Sequence, residues 1–295
     1  MRRSICSLLA VCAVSSFAAL SVLAQPPPAP PKVLVIYREE VKSGMSAAHA
    51  KVEAGWPKAF AKAGSTNYYL GMTSRSGPIE AWFLEPHDSY AAFEKSNADD
   101  ARKPQLSAEL DKLGVEDSAL ISGGRNLIAT YQEEISRQGT SPFPLNRYVS
   151  VTTYRVRPGK APEFTEFRRL LKSVNESGKT SNYFVIYQVV SGAPSGTYLL
   201  LRGMKSLKEL DPDPGQPTFA QLLGPDNQKK LNDLSASFLI SSESALFELK
   251  PGMSYPPKEF LAIDSAFWAP KAMPAKTVKV ATVVKKEPKK IASAQ

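Results

Sequence analysis

The sequence predicts an α+β fold in which one β-α-β-β-α-β unit occurs twice, and three observations carry this. First, the chain repeats itself. At an offset of 115, Val41-Lys42-Ser43-Gly44 falls on Val156-Arg157-Pro158-Gly159, and Ser65-Thr66-Asn67-Tyr68-Tyr69 on Thr180-Ser181-Asn182-Tyr183-Phe184. At 117, Glu80-Ala81-Trp82-Phe83-Leu84 meets Thr197-Tyr198-Leu199-Leu200-Leu201, and at 119, Leu120-Ile121-Ser122 meets Leu239-Ile240-Ser241. A drift this small, taken up between elements, is how a duplicated domain diverges. Second, each copy alternates short β-rich runs with apolar residues at helical spacing. Third, both ends differ in composition from the body.

In the first copy, Lys32 to Tyr37 reads as a strand, through Val33, Leu34, Val35 and Ile36. After the Lys42-Ser43-Gly44 turn, Ser46 to Ala63 reads as one helix, with His49, Val52, Trp56, Phe60 and Ala63 on one face and Gly64 closing it. Thr66 to Thr73 and Ile79 to Leu84 are expected strands. Asp88 or Ser89 can cap a helix to about Lys95. A second helical piece follows Pro104 and is interrupted at Gly114, and Arg125 to Glu134 is the fourth strand.

The second copy repeats this order. Tyr148 to Arg157 alternates with period two, and Pro162 opens a helix whose buried face is Phe164, Phe167, Leu171 and Val174. Tyr183 to Val190 and Thr197 to Arg202 flank the Ser191-Gly192-Ala193-Pro194 turn, Leu207 to Leu234 is the second helical region, and Phe238 to Lys250 closes the sheet. The boundaries are therefore 33–137 for the first repeat, 138–147 for a Gly/Pro linker and 148–250 for the second repeat. Residues 251–270, with Tyr255, Phe260, Phe267 and Trp268, are expected to be an extended aromatic strap packed on the body.

The ends point to export. Residues 1–24 read as a signal peptide: Arg2 and Arg3, an apolar run from Ile5 to Leu23, and a cleavage site at Val22-Leu23-Ala24. A retained membrane anchor is the alternative. The expected location is periplasmic or secreted. Cleavage removes Cys6 and Cys12, the only cysteines, and with them thiol nucleophiles, disulfides and thiolate metal sites. Residues 25–32 form a Pro-rich spacer. In the tail, 271–295, seven lysines face Glu287 alone, a balance of +6; Arg2 and Arg3 hold +2 of the chain's +9, which leaves the body near +1. The basic excess thus belongs to the ends, and a nucleic-acid partner is not expected. The tail reads as a disordered basic segment, or as a weak tether to an anionic surface.

A βαββαβ unit folds into a ferredoxin-like four-stranded antiparallel sheet with both helices on one face. Its other face is apolar here, so two units packed sheet to sheet bury each other. In the Val-x-x-Gly turn before a helix and the Asn-Tyr-aromatic strand, the chain resembles the dimeric α/β-barrel superfamily, in its antibiotic-biosynthesis-monooxygenase-like and NIPSNAP-like branches. The resemblance covers roughly 33–135 and 148–250. It implies a dimeric α/β barrel formed within one chain, a monomer or weak homodimer in solution, and a range of activities from cofactor-free oxygenases and isomerases to haem enzymes and proteins without known activity.

The chain has two histidines, His49 and His87. In the internal alignment His49 meets Phe164, His87 meets Met204, Trp56 meets Leu171, Trp82 meets Leu199 and Glu80 meets Thr197. None of the second-copy residues titrates, so these positions read as inward-facing, with polar and aromatic chemistry kept in the first copy only. The expected site is a single pocket in repeat one. His49 would be its acid/base or hydrogen-bond donor, and Trp56, Tyr68, Glu80 and Trp82 its ligand-binding wall. Alternatively, His49 is a core histidine with one hydrogen bond and the tryptophans are packing. His87 is expected to cap a helix or to face solvent. No H-E-x-x-H, G-x-S-x-G, phosphate loop or G-x-G-x-x-G is present. No metal site and no cofactor are expected. The function read from this is an exported protein that binds a small apolar or aromatic ligand, as an oxygenase or isomerase, against the alternative of a non-catalytic envelope scaffold.

Overall fold

A computed structural model describes residues 29–269. The expected signal peptide, most of the expected spacer and the lysine tail lie outside the described residues.

The first repeat contains β1 (Val33–Val41), α1 (Ser46–Glu53), α2 (Trp56–Lys62), β2 (Leu70–Ser74), β3 (Glu80–His87), α3 (Tyr90–Ala101), α4 (Pro104–Ser118) and β4 (Ile121–Tyr131). The second contains β5 (Tyr148–Val156), α5 (Ala161–Ser177), β6 (Val185–Ser191), β7 (Thr197–Met204), α6 (Phe219–Phe238) and β8 (Leu239–Leu249). Helix α7 (Lys258–Trp268) follows.

The eight strands close into one antiparallel barrel in the order β1-β3-β2-β8-β5-β7-β6-β4. Each repeat supplies four neighbouring strands. The seams are β2 on β8 (Met72 opposite Leu249) and β4 on β6 (Ala129 opposite Val189). The two sheets therefore meet edge to edge as well as face to face, which satisfies the edge-strand backbone of both. This is a dimeric α/β barrel made within a single chain.

Alternation along the strands sorts the side chains. On β1, Leu34 and Ile36 join the barrel interior, with Met72, Trp82, Leu84, Leu127, Val149, Leu199 and Phe247. The other face of the barrel packs under the helices, through Val41, Ala81 and Phe83 in repeat one and Val156, Ile186 and Tyr198 in repeat two. Both faces are buried, which is why Val33 to Ile36 is an unbroken apolar run.

Several elements differ from expectation. The helix expected over Ser46 to Ala63 is two helices. Pro57, in the first turn of α2, has no N–H to continue the ladder, and Gly55 lies so close to α4 that a Cβ would stand 2.6 Å from Leu113 Cδ2. Gly114 does not interrupt α4, which runs on to Ser118 and is held by the packing of Leu106 and Leu113. The segment after Lys250 opens with a 3-10 turn at Pro251–Met253, is extended around Tyr255, which bridges Tyr69, and then forms α7. Phe260, Phe267 and Trp268 pack against the barrel interior. They do so at the end where β4 finishes and β5 begins, and the opposite end is left open to the site below.

Candidate functional site

The open end of the barrel is lined by Arg38 on β1, Trp82 on β3, Arg125 and Leu127 on β4, Thr153 and Arg155 on β5, Thr197 and Leu199 on β7, and the Ala193-Pro194 turn. They enclose a cavity of about 190 Å³. Three guanidinium groups and no carboxylate line it. Its floor is the Trp82 ring with Leu127 and Leu199.

Two of the arginines are held in place. Arg38 Nε donates to Glu80 Oε2 at 3.0 Å and a terminal nitrogen donates to Glu80 Oε1, while its guanidinium stands 5.2 Å from the Trp82 ring centre. Trp82 Nε1 donates to the same Glu80 Oε2 at 2.7 Å. Glu80 is buried, and its charge is met by three donors, which makes that burial tolerable. Across the mouth, Arg155 donates to Thr197 Oγ1 at 2.7 Å and to the Pro194 carbonyl at 2.8 Å. Arg125 is exposed and has no carboxylate partner among the described residues. The mouth thus offers one free and two oriented guanidinium groups over an aromatic floor, an arrangement suited to an anion attached to a flat apolar body.

The residues expected to form one pocket are divided. Glu80 and Trp82 belong to the barrel mouth. His49 and Trp56 lie on the outer side of the barrel wall, among the helices, and line no part of the mouth. Tyr68 is also outside the mouth: its ring packs at 5.2 Å from Tyr255, which belongs to the cluster on the outer side of the wall with Trp56 and Phe60. The inner and outer faces of a β wall cannot share a pocket, and sequence alignment of the two copies does not reveal which face each position takes. Of the five positions read as inward-facing, His49, Glu80, Trp82 and His87 are buried and Trp56 is half-buried.

His49 is the centre of a second constellation. Its Nε2 lies 2.9 Å from Glu39 Oε2 and 3.4 Å from Asp117 Oδ1. With Glu53, these residues bring four ligand-type atoms within 4.8 Å of one another. His49, Glu53 and Asp117 are buried. Burial, then the Glu39 and Asp117 charges, push the Glu53 carboxyl up to about 9, with the Trp56 indole acting in the opposite sense. Burial and the Glu39 charge also raise Asp117, against the pull of His49. The cluster went unread because its members are distant in sequence. Its one local signal was Glu53, one helical turn after His49.

His87 is neither a cap nor exposed. It is buried, 2.6 Å from Glu85 Oε1 and against Phe93, while Ser89 caps α3 by accepting from Ala92 N–H. Glu85 also faces Tyr37, whose hydroxyl is pushed up first by burial and then by that charge. A larger hollow of about 560 Å³ on the surface of α5 and α6 is lined mostly by charged side chains, with Lys229 paired to Asp233.

No protein-family model and no curated protein sequence matches the chain. Among solved structures it is similar to an anthrone oxidase-like protein, at 12% identity over 77% of this chain and 94% of that one, with a TM-score of 0.48. It is similar to a provisionally assigned monooxygenase of Fusobacterium nucleatum at 11% identity, 75% and 93% coverage and a TM-score of 0.48. A chlorite dismutase variant of Candidatus Nitrospira defluvii gives 9%, 80%, 96% and 0.46. These are distant likenesses of architecture. The fold stands on the barrel's own geometry, and activity must be argued from the sites.

Proposed function

We propose that the protein is an exported small-ligand-binding protein that takes a small planar carboxylate, or a similar anion, at the open end of its barrel. The carrying observation is the cavity in which Arg38, Arg125 and Arg155 face one space above the Trp82 ring. At about 190 Å³ it is smaller than the few hundred Å³ of a drug-sized pocket. A single ring or a short acyl chain fits it; a polyketide or a haem does not. The apolar floor agrees with the aromatic ligand expected from the sequence, and the arginines add its charge. Glu80, the carboxylate behind the lining, is tied to Arg38 and Trp82, which supports binding over proton abstraction.

Native mass spectrometry of protein from its own host tests both halves of this reading: the start of the chain, expected at Gln25, and a co-purifying small acid. Benzoate and short-chain fatty acids, titrated by calorimetry, then supply affinities. Arg125→Ala removes the unpaired guanidinium and is expected to weaken carboxylate binding about tenfold or more. Affinity in both Arg125→Ala and Arg155→Ala undiminished from that of the unsubstituted protein would refute the mouth as the binding site.

A further inference from the structure

We propose that Glu39, His49, Glu53 and Asp117 form a binding site for a divalent first-row transition-metal ion, of manganese or zinc type, that ties α1 and α4 to the barrel wall. Glu39 comes from β1, His49 and Glu53 from successive turns of α1, and Asp117 from the last turn of α4. Their donor atoms lie within 4.8 Å of one another. Ligands at about 2.1 Å from a shared ion stand roughly 3–4 Å apart, so small side-chain adjustments close the set around a cation.

The second observation is a shortage of partners. Glu53 Oε1 and Asp117 Oδ1 are buried and make no hydrogen bond among the described residues. Glu53 is 3% exposed and Asp117 5%. No lysine or arginine pairs with Glu39, Glu53 or Asp117 among the described residues. Three carboxyl groups thus share a low-dielectric space in which the His49 imidazole is the only neighbour able to carry positive charge, an arrangement a divalent ion stabilises by taking the place of the bound protons.

The duplication supplies an internal control. The offset of 115 places Tyr154, Phe164 and Arg168 where repeat one has Glu39, His49 and Glu53. There the buried Arg168 guanidinium lies over the Tyr154 and Phe184 rings, at 5.9 and 4.6 Å. Repeat two has a covalently attached cation at this place; repeat one has the anions and lacks one. Mixed imidazole and carboxylate ligands favour manganese, iron or zinc over calcium and magnesium. Glu39, whose side chain is 21% exposed, marks the path from solvent.

The test uses the full folded chain, stripped with chelator, and calorimetric titration with manganese(II), zinc(II), magnesium(II) and calcium(II) in turn. One equivalent of manganese or zinc is expected to bind at micromolar or lower concentration, well ahead of magnesium and calcium. Glu53→Gln and Asp117→Asn, which keep side-chain shape, are expected to lower that affinity about 100-fold or more. His87→Phe is expected to leave it unchanged. Circular dichroism establishes that each variant is folded, and nitrogen hyperfine coupling in the spectrum of bound manganese reports ligation by imidazole directly. Absence of binding below millimolar metal, affinity undiminished from that of the unsubstituted chain in folded Glu53→Gln and Asp117→Asn, or a manganese spectrum without nitrogen coupling would each overturn the proposal.

Discussion

Replacing Trp268 with alanine is expected to be the most costly single change in the C-terminal segment. Trp268 is 2% exposed and belongs to the barrel-interior core, although it comes from α7, outside both repeats. Phe260 and Phe267 contact it edge-on, at 5.4 and 4.9 Å between ring centres, and its Nε1 donates to the Pro144 carbonyl at 2.8 Å. Removing a buried tryptophan of this kind costs about 3–5 kcal/mol. At about 2–4 °C per kcal/mol for a chain of this size, the melting temperature should fall by roughly 10 °C. Trp268→Phe separates packing from hydrogen bonding. It refills most of the space and leaves the Pro144 carbonyl with only the long 3.4 Å hydrogen bond donated by Arg147, at a cost of about 1 kcal/mol. Urea unfolding of the three proteins, followed by far-ultraviolet circular dichroism, gives both values. A loss below about 1 kcal/mol for Trp268→Ala would show that α7 does not plug the barrel and would remove the reasoning.

Two further outcomes concern the seam and the buried acids. Gly192 sits at φ +87 beside β4, where a Cβ would stand 1.9 Å from the Asn126 carbonyl oxygen; Gly192→Ala should cost about 1–3 kcal/mol or more and increase hydrogen exchange along β4 and β6, and normal protection of Ala129 would contradict this. Glu53 is held protonated, its pKa raised from 4.5 to about 9 among Glu39 on β1, His49 beside it on α1, Asp117 on α4 and Tyr69. A carboxyl raised in the folded state binds more protons there than when unfolded. In metal-free protein its contribution therefore falls as pH rises from about 4.5 to about 9, by an order of a few kcal/mol. Glu53→Gln should flatten that slope in chelator-containing unfolding measurements, and an equal slope in both proteins would exclude Glu53 as its source.

The repeat, the order of elements and the burial of the chemistry-bearing positions were legible in the sequence, because each rests on local or internally repeated information. Val33 to Ile36 announces a strand buried on both faces, and Phe164, Phe167, Leu171 and Val174 announce a helix packed on the second repeat's strands and on α6. The comparison of His49 with Phe164 and of Trp82 with Leu199 read out burial, since an apolar residue in one copy requires a dry site in the other. It could not show on which side of the sheet that site lies. Trp82 looks into the barrel and His49 away from it, a difference set by strand register and by helix placement.

Only the closed barrel places Arg38 and Arg125 across from Arg155, which belongs to the other repeat. Only the packing of α1 and α4 on β1 brings Asp117 to His49, 68 positions away in the chain. Acids scattered through a sequence look like ordinary solvated surface until the fold removes the water from around them. The same holds for α7: aromatic composition marked residues 251–270 as packed, but the vacant end of the barrel that receives Trp268 exists only after eight strands from both repeats have closed.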